Sequence, residues 1–569
     1  MCAAWGGRPP FAEELMPDSH APVLTAPAAA SRSTGDGVRD TIDSIVVAFI
    51  LAFVFRAFIA EAFIIPTGSM APSLNGRHIA HRCSNCRYTF AVGVNQDEYV
   101  LRKPVALQCP NCGNGDDRVG GGSNPTLSDS GDRILVLKWP YDIGLPWLGP
   151  QRWSVVVFKN PLDGKQNYIK RLIGMPGEVL EIIDGDVYAA AARSVPKELL
   201  DKLLADPLVT PNRGLTAADR RALNRLLKIR RKPDIEQASL WMLHYDHDYP
   251  PAQPLVDGPR WSSGGPPDRT GWDAGSPCVR FDGRDDDEHR LELGGRLIAD
   301  GYAYNARMGG PDMRSQLRLV GDVRLAFVLE PGGREGYVAM LLTKNADEFR
   351  ATIRADGRVT LEHRAAAAPW RTLAQRKVEP FAPGRELPIE FINCDYRVSL
   401  RIEGRTVVAT GDDDYKPDLD AMTQSEREDG ERVPARVALV ARGLPLAIRH
   451  LTVHRDVFYR SQGSEMDPAH ENPYLAARVP AWGTRGNPIY LRDDEYFMCG
   501  DNSPASKDSR LWWEAGDFVQ RRGAAYQRGT VPADQLIGRA FFVYWPSGHR
   551  LGSRGLPVVP NVGRMRPIR

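Results

Sequence analysis

Two residues of this chain can be combined into nucleophilic chemistry. They are Ser69, in the small-residue turn Pro66-Thr67-Gly68-Ser69-Met70, and Lys170, in the run Asn167-Tyr168-Ile169-Lys170-Arg171-Leu172-Ile173-Gly174. A serine hydroxyl is a weak nucleophile until a base takes its proton, and a lysine can be that base only if its amine is neutral near pH 7. Burial achieves this, because a low-dielectric site disfavours the ammonium form. Alternation along the run sets Tyr168, Lys170 and Leu172 on one face of a strand, where aromatic and aliphatic neighbours can desolvate the amine. The same pattern fits a surface lysine beside Arg171 on an edge strand. Pro-x-Gly-Ser taken alone is ordinary turn chemistry.

Three further blocks accompany these two in order along the chain: Gly131-Asp132-Arg133-Ile134-Leu135-Val136-Leu137-Lys138, Gly174-Met175-Pro176-Gly177-Glu178, and Gly500-Asp501-Asn502 running to Ser506-Lys507-Asp508-Ser509-Arg510. The five blocks together resemble the type I signal peptidase family, membrane-anchored serine proteases that use lysine as the general base. The resemblance implies Ser69 as nucleophile and Lys170 as base, with the Thr67 hydroxyl and the Ser69 N–H as oxyanion donors. It further implies that Ser506 orients the lysine amine, that Asp508 and Arg510 form a supporting ion pair, and that Phe63, Ile65, Leu74 and Ile169 line an apolar substrate pocket. No cofactor is then needed for catalysis. A Ser-His-Asp enzyme is the competing chemistry, with His78 and His81 near Ser69, but no Gly-x-Ser-x-Gly elbow surrounds that serine.

The elements that must position these groups begin with an anchor. Ile45–Phe55 is an uninterrupted apolar run, shorter than the roughly twenty residues of a spanning helix. Extension through Arg56 and Glu61 to Ile65 supplies the length if Arg56 snorkels, giving an expected transmembrane segment at 42–65 behind a disordered cytoplasmic tail at 1–41. A cleaved signal peptide competes, but its basic n-region is missing. The family resemblance sets the catalytic domain on the exported face of the cytoplasmic membrane. It also implies signal peptides of exported preproteins as substrates, and membrane lipid and the export machinery as partners. A self-cleaving repressor-type protease would need no anchor.

Composition is that of a globular chain: 569 residues, net charge +2 and 42% hydrophobic residues. This is long enough for roughly three or four domains, and the lack of a basic excess excludes nucleic acid as a partner. Cys83-x-x-Cys86 and Cys109-x-x-Cys112 have the spacing of a four-cysteine zinc ribbon, a structural site, expected at 81–118; two disulfides are the alternative. Cys2, Cys278, Cys394 and Cys499 lie far apart and are expected as free thiols.

The family likeness stops past Tyr188 and resumes near Asn487, so a large insertion with its own fold is expected. Helices at Glu198–Leu204 and, capped by Thr216, at 217–231 open an arm spanning 193–277. Period-two runs then predict a β-sandwich at 278–456, and the order of its strands resembles a concanavalin-like jelly roll. The expected fold is therefore mainly β: one transmembrane helix, then a β catalytic domain in segments 66–80, 128–192 and 457–569, interrupted by ribbon and sandwich. The insertion is expected to be separable, with close ends. A tethered carbohydrate- or protein-binding module on an inactive peptidase scaffold is the alternative function. The acidic runs 285–288 and 412–414 are expected as solvated loops.

Overall fold

The computed structural model describes residues 34–115, 117–120, 126–143, 145, 148–205, 211–255, 258–265, 267–275, 277–305, 317–424, 433–460, 481–514, 516–521, 526–547 and 561–569. Cys2 and residues 1–33 of the expected tail lie outside them. The chain divides after Ala57 into two units. The first is helical from Thr34 to Val54, and the helix continues as a wider turn over Phe55–Ile59. The stretch Arg39–Ile59 is long and apolar enough to cross a membrane.

Both ends of the expected 42–65 anchor are corrected. Residues 34–41 are helical, and the chain after Ile59 becomes the strand Ala60–Ile64, paired antiparallel with Arg133–Leu137. The hydropathy of Ala60, Phe63 and Ile64 suits a helix or a strand equally, but Glu61 beside Lys138 (3.5 Å) and the alternating burial of 60–64 belong to a sheet edge.

In the second unit, the catalytic-type sheet runs in the order 60–64, 133–137, 536–545, 155–159, 167–174, 495–499, 531–532. Segments far apart in sequence are thus adjacent strands, and one register brings Arg171 opposite Cys499. A four-stranded sheet, 228–229, 186–191, 178–183, 489–491, continues from it. The helices Lys197–Leu203 and Ala217–Leu226 pack on this second sheet through Leu199, Leu203 and Leu223. Thr216 caps the latter in a capping box with Asp219. That helix ends earlier than the expected 231, because Lys228–Ile229 pair as a strand with 188–189.

The insertion is a two-sheet sandwich, one sheet built around 446–455, 323–331 and 387–394, the other around 437–442, 337–344 and 347–354. Alternation along the strands builds its core: Leu325, Phe327 and Leu329 face inward with Val338, Met340 and Leu342 from the opposite sheet. The sandwich starts earlier than 278. Met242–Asp246 pairs with 446–455, and Trp261 and Trp272 are buried in the sandwich core.

The two ends of the insertion are close, as Gly185 and Tyr459 form an antiparallel bridge. A buried ionic cluster spans the junction: Lys232 lies 2.6 Å from Asp395 and 2.8 Å from Asp456, and Lys344 lies 2.7 Å from Asp322 and 3.3 Å from Asp186. Cys394 sits against Asp456 in the same cluster. The two amines offset part of the charge of the four carboxylates around Cys394, and burial raises the Asp186 and Asp456 carboxyls, which favours their neutral forms. The acidic runs are likewise engaged by neighbouring side chains, Asp285 with His289 and Asp412 with Arg231 and Arg397.

Candidate active site

The turn that carries Ser69 is held from two sides. On one side, Ile65 N–H donates to Asp132 O, Asn75 N–H donates to the Asp132 carboxylate, and Asp132 N–H donates to Asn75 O, so the Gly131–Lys138 block clamps both ends of the Ser69 loop. On the other, Asn502 donates its backbone N–H to Ser69 O (3.0 Å) and its side-chain amide to Gly68 O (2.9 Å). Residues 68–70 thereby form a short 3-10 turn with Ser69 buried.

Lys170 reaches this turn from the strand 167–174, and its Nζ lies 2.6 Å from Ser69 Oγ, at hydrogen-bond distance. Burial pushes the Lys170 amine down to about 8; the Asp508 charge pulls it back up, and the Arg510 charge opposes that pull. The Tyr168 ring sits 5.4 Å from the amine, on the face the alternation predicts.

Asp508 and Arg510 form the expected ion pair, with Nη2 2.7 Å from Oδ2 and Nε 2.8 Å from Oδ1. Burial alone would raise the Asp508 carboxyl, but the Arg510 charge, its hydrogen bonds and the Gly500 N–H hold it below the usual range. Ser506 is buried against Gly500, yet its Oγ makes no hydrogen bond to Lys170. Its expected orienting contact is not formed in this structure. Thr67 is exposed, and its side chain does not cap the turn.

Phe63, Ile65, Leu74 and Ile169 fall in one apolar cluster with Met70, Ile134 and Val155. Ile65 and Leu74 are fully buried there, while Phe63 and Ile169 are half-buried and form its open side. The histidines turn elsewhere, His78 Nδ1 to Gly76 O (2.8 Å) and His81 Nε2 to Asp117 (3.2 Å).

Sequence reasoning assigned no role to Arg171 and Asp501, which form a fully buried bidentate pair with both N–O distances 2.8 Å. Both lie in blocks that the sequence singles out, but 330 positions apart, and nothing local signals the pairing. Asn502 was missed for the same reason.

The four clustered cysteines form a second candidate site. Their sulfurs all lie within 4.8 Å of one another, with Cys83–Cys112 at 3.7 Å and Cys86–Cys109 at 3.6 Å. These are not disulfide distances, which are about 2.05 Å. Four thiolates about 2.3 Å from a tetrahedral centre stand about 3.8 Å apart, so the donor set fits one metal ion. The surrounding hairpins run from His78 to Leu127, wider than the expected 81–118. Of the other thiols, Cys394 and Cys499 are buried and Cys278 is half-buried.

In this mainly β fold a serine hydroxyl lies at hydrogen-bond distance from a desolvated amine. The family model described as signal peptidase, peptidase S26, matches residues 117–248 and 437–545 of this chain. The match reaches further into the insertion on both sides than the sequence blocks do, and it does not include Ser69.

Signal peptidase I of Pseudomonas fluorescens is 41% identical over 88 residues, 14% of this chain and 31% of that protein. Signal peptidase I of Rickettsia typhi is 28% identical over 156 residues, 27% of this chain and 44% of that one. The chain thus spans less than half the length of these relatives. Among solved structures, carbohydrate-binding module CBM66 from Bacillus subtilis covers 34% of this chain and 95% of its own, at 11% identity and TM-score 0.22. The galectin LEC-6 of Caenorhabditis elegans covers 24% and 82%, at 14% identity and TM-score 0.17. Likenesses this weak say nothing of a ligand.

Proposed function

We propose that this protein is a membrane-anchored signal peptidase that removes signal peptides from exported preproteins, with Ser69 as nucleophile and Lys170 as general base. The observation that carries the reading is the 2.6 Å approach of a buried lysine amine to the Ser69 hydroxyl; the signal peptidase relatives support it. Neutral Lys170 takes the hydroxyl proton as Oγ attacks the scissile carbonyl. The ammonium then returns that proton to the departing amine, leaving an acyl-enzyme that water, deprotonated by the same lysine, hydrolyses. The Thr67 hydroxyl and Ser69 N–H would steady the oxyanion. The apolar helix Arg39–Ile59 would anchor the enzyme in the cytoplasmic membrane, with the catalytic unit on the exported face among lipid and the export machinery.

The half-buried Phe63 and Ile169 would border the substrate pocket, and a shallow apolar pocket there would admit small side chains and reject large ones by overlap. Cleavage is expected after small residues at the first and third positions before the scissile bond. Incubating the purified protein with a precursor, beside a Ser69→Ala control, and sequencing the mature N-terminus tests this; efficient cleavage after Phe or Lys overturns the pocket assignment.

The pH dependence follows from Lys170. Its active form is the neutral amine, and the conjugate acid titrates at about 8. The rate constant kcat/KM is therefore expected to rise about tenfold per unit below pH 8 and to level off above it. A flat profile between pH 6 and 9 contradicts a lysine base. We also assign a structural zinc to Cys83, Cys86, Cys109 and Cys112, so metal analysis should find about one zinc per chain. Two disulfides in non-reducing mass spectrometry would refute it.

A further inference from the structure

The sandwich sends one arm back into the catalytic site. Its base is pinned where Ala299 bridges Leu319, where Asp300 N–H donates to Arg318 O (2.9 Å), and where Val320 N–H donates to Ile298 O (3.0 Å). Beyond that base, residues 301–305 leave the sandwich core and enter the core of the catalytic part, where Tyr302 and Tyr304 are buried with Ala71, Trp153 and Cys499.

Three side chains of the arm engage the residues that hold Ser69. Tyr302 Oη donates to Asp501 O (3.0 Å). Asn305 and Asn502 exchange two amide hydrogen bonds, of 2.8 and 2.7 Å, and Asn502 is the residue that grips Gly68 O and Ser69 O. Tyr304 Oη donates to Arg77 O (2.9 Å), and its ring is slotted between Gly68 and Gly93. A Cβ on Gly68 would come within 2.1 Å of Tyr304 Cε1, and one on Gly93 within 2.2 Å. Glycine at both places is what lets the ring lie flat against the nucleophile turn.

The arm also connects to the lysine's surroundings. Asp300 pairs with Arg460 (2.6 and 3.0 Å), the Arg460 N–H donates to Ser503 Oγ (2.9 Å), and Arg510 donates to both Ser503 Oγ (2.7 Å) and Arg460 O (3.0 Å). Arg510 in turn fixes Asp508, whose charge acts on Lys170.

The 3-10 turn of Ser69 has no side-chain cap of its own. Its position is therefore set by what presses on it, and a nucleophile must be held to within about 0.5 Å to react well. We infer that Tyr304 and Asn305, residues of the inserted sandwich, are positioning residues for Ser69, so the insertion completes the active site rather than decorating it. This rests on the role proposed for Ser69. It replaces the expectation that the insertion can be cut away without loss of chemistry.

The test uses the full-length protein in detergent and a precursor substrate. Tyr304→Ala and the near-isosteric Asn305→Asp are each expected to lower kcat about tenfold to a hundredfold with KM unchanged, because orientation rather than binding is lost. Tyr304→Phe, which keeps the ring, should stay within about threefold of the parent. Gly68→Ala should cost about tenfold less in a Tyr304→Ala background than alone, since the added methyl then meets no ring; independent structural damage would instead add. Near-parental kcat in both Tyr304→Ala and Asn305→Asp, or strict additivity with Gly68→Ala, overturns the inference. Absence of Ser69-dependent cleavage in the parent protein would instead overturn the underlying peptidase reading.

Discussion

Ser69→Ala and Lys170→Ala are each expected to abolish precursor cleavage, lowering kcat by roughly four to six orders of magnitude, and the double variant should be no worse than either. The non-additivity is the informative part: Ser69 Oγ and Lys170 Nζ are 2.6 Å apart and act as one proton-transfer unit, so removing the second partner takes away nothing further. Lys170→Arg should be equally inactive, because a guanidinium does not give up its proton. Thr67→Val should cost less, about a hundredfold, the usual value of one oxyanion donor.

Folding damage is separable from lost chemistry. The amine titrates at about 8 in the folded chain, below its ordinary value of 10.5. The unfolded chain thus holds that proton more tightly, and the cost of keeping the ammonium dry is fully present below pH 8 and relieved as pH rises from there toward 10.5. Lys170→Met removes this cost, so its Tm at pH 7 should equal or exceed the parent's while its activity is lost. Full cleavage by Lys170→Ala would end the dyad assignment.

What the sequence made legible was local. The Cys-x-x-Cys knuckles, the Thr216 cap and the alternation that buries Lys170 beside Tyr168 all depend on neighbours within a few positions, and the structure has each of them. Sandwich strands such as 323–331 and 437–442 are mostly buried and therefore apolar, which is what makes the period-two region visible. The strand 371–377 is the edge of its sheet and mostly exposed, so its Arg, Thr, Gln and Lys leave no apolar alternation to read. Trp261 and Trp272 fall within the span 193–277 expected as an arm, yet burial of their rings in the sandwich core decides their domain. The arm's grip on Asn502 was beyond reach, since it joins Asn305 to a residue 197 positions away.

Asp501→Ala is expected to be the most destabilising single change near the site, by about 3–5 kcal/mol, because it leaves the Arg171 guanidinium buried and without its counter-charge. Both side chains are fully buried, and the pair is bidentate, so water cannot replace the lost carboxylate. Arg171 would keep its donation to Trp153 O at 2.6 Å, but a carbonyl does not neutralise a charge. Arg171→Met should cost a similar amount by stranding the Asp501 carboxylate. The double variant Arg171→Met with Asp501→Leu should recover much of the loss, as apolar replacements of buried pairs often do, leaving the donor removed from Trp153 O as its residual cost. Denaturant unfolding of the parent, Arg171→Met, Asp501→Leu and their double variant gives the coupling directly. The consequence for function is specific: Asp501 is joined to Asn502, whose amides hold Gly68 O and Ser69 O, so folded Asp501→Ala protein should lose kcat before KM. A loss in Asp501→Ala below about 1 kcal/mol, or single-variant costs that simply add in the double, would mean that the pair is not what ties the Lys170 strand to the serine-holding loop.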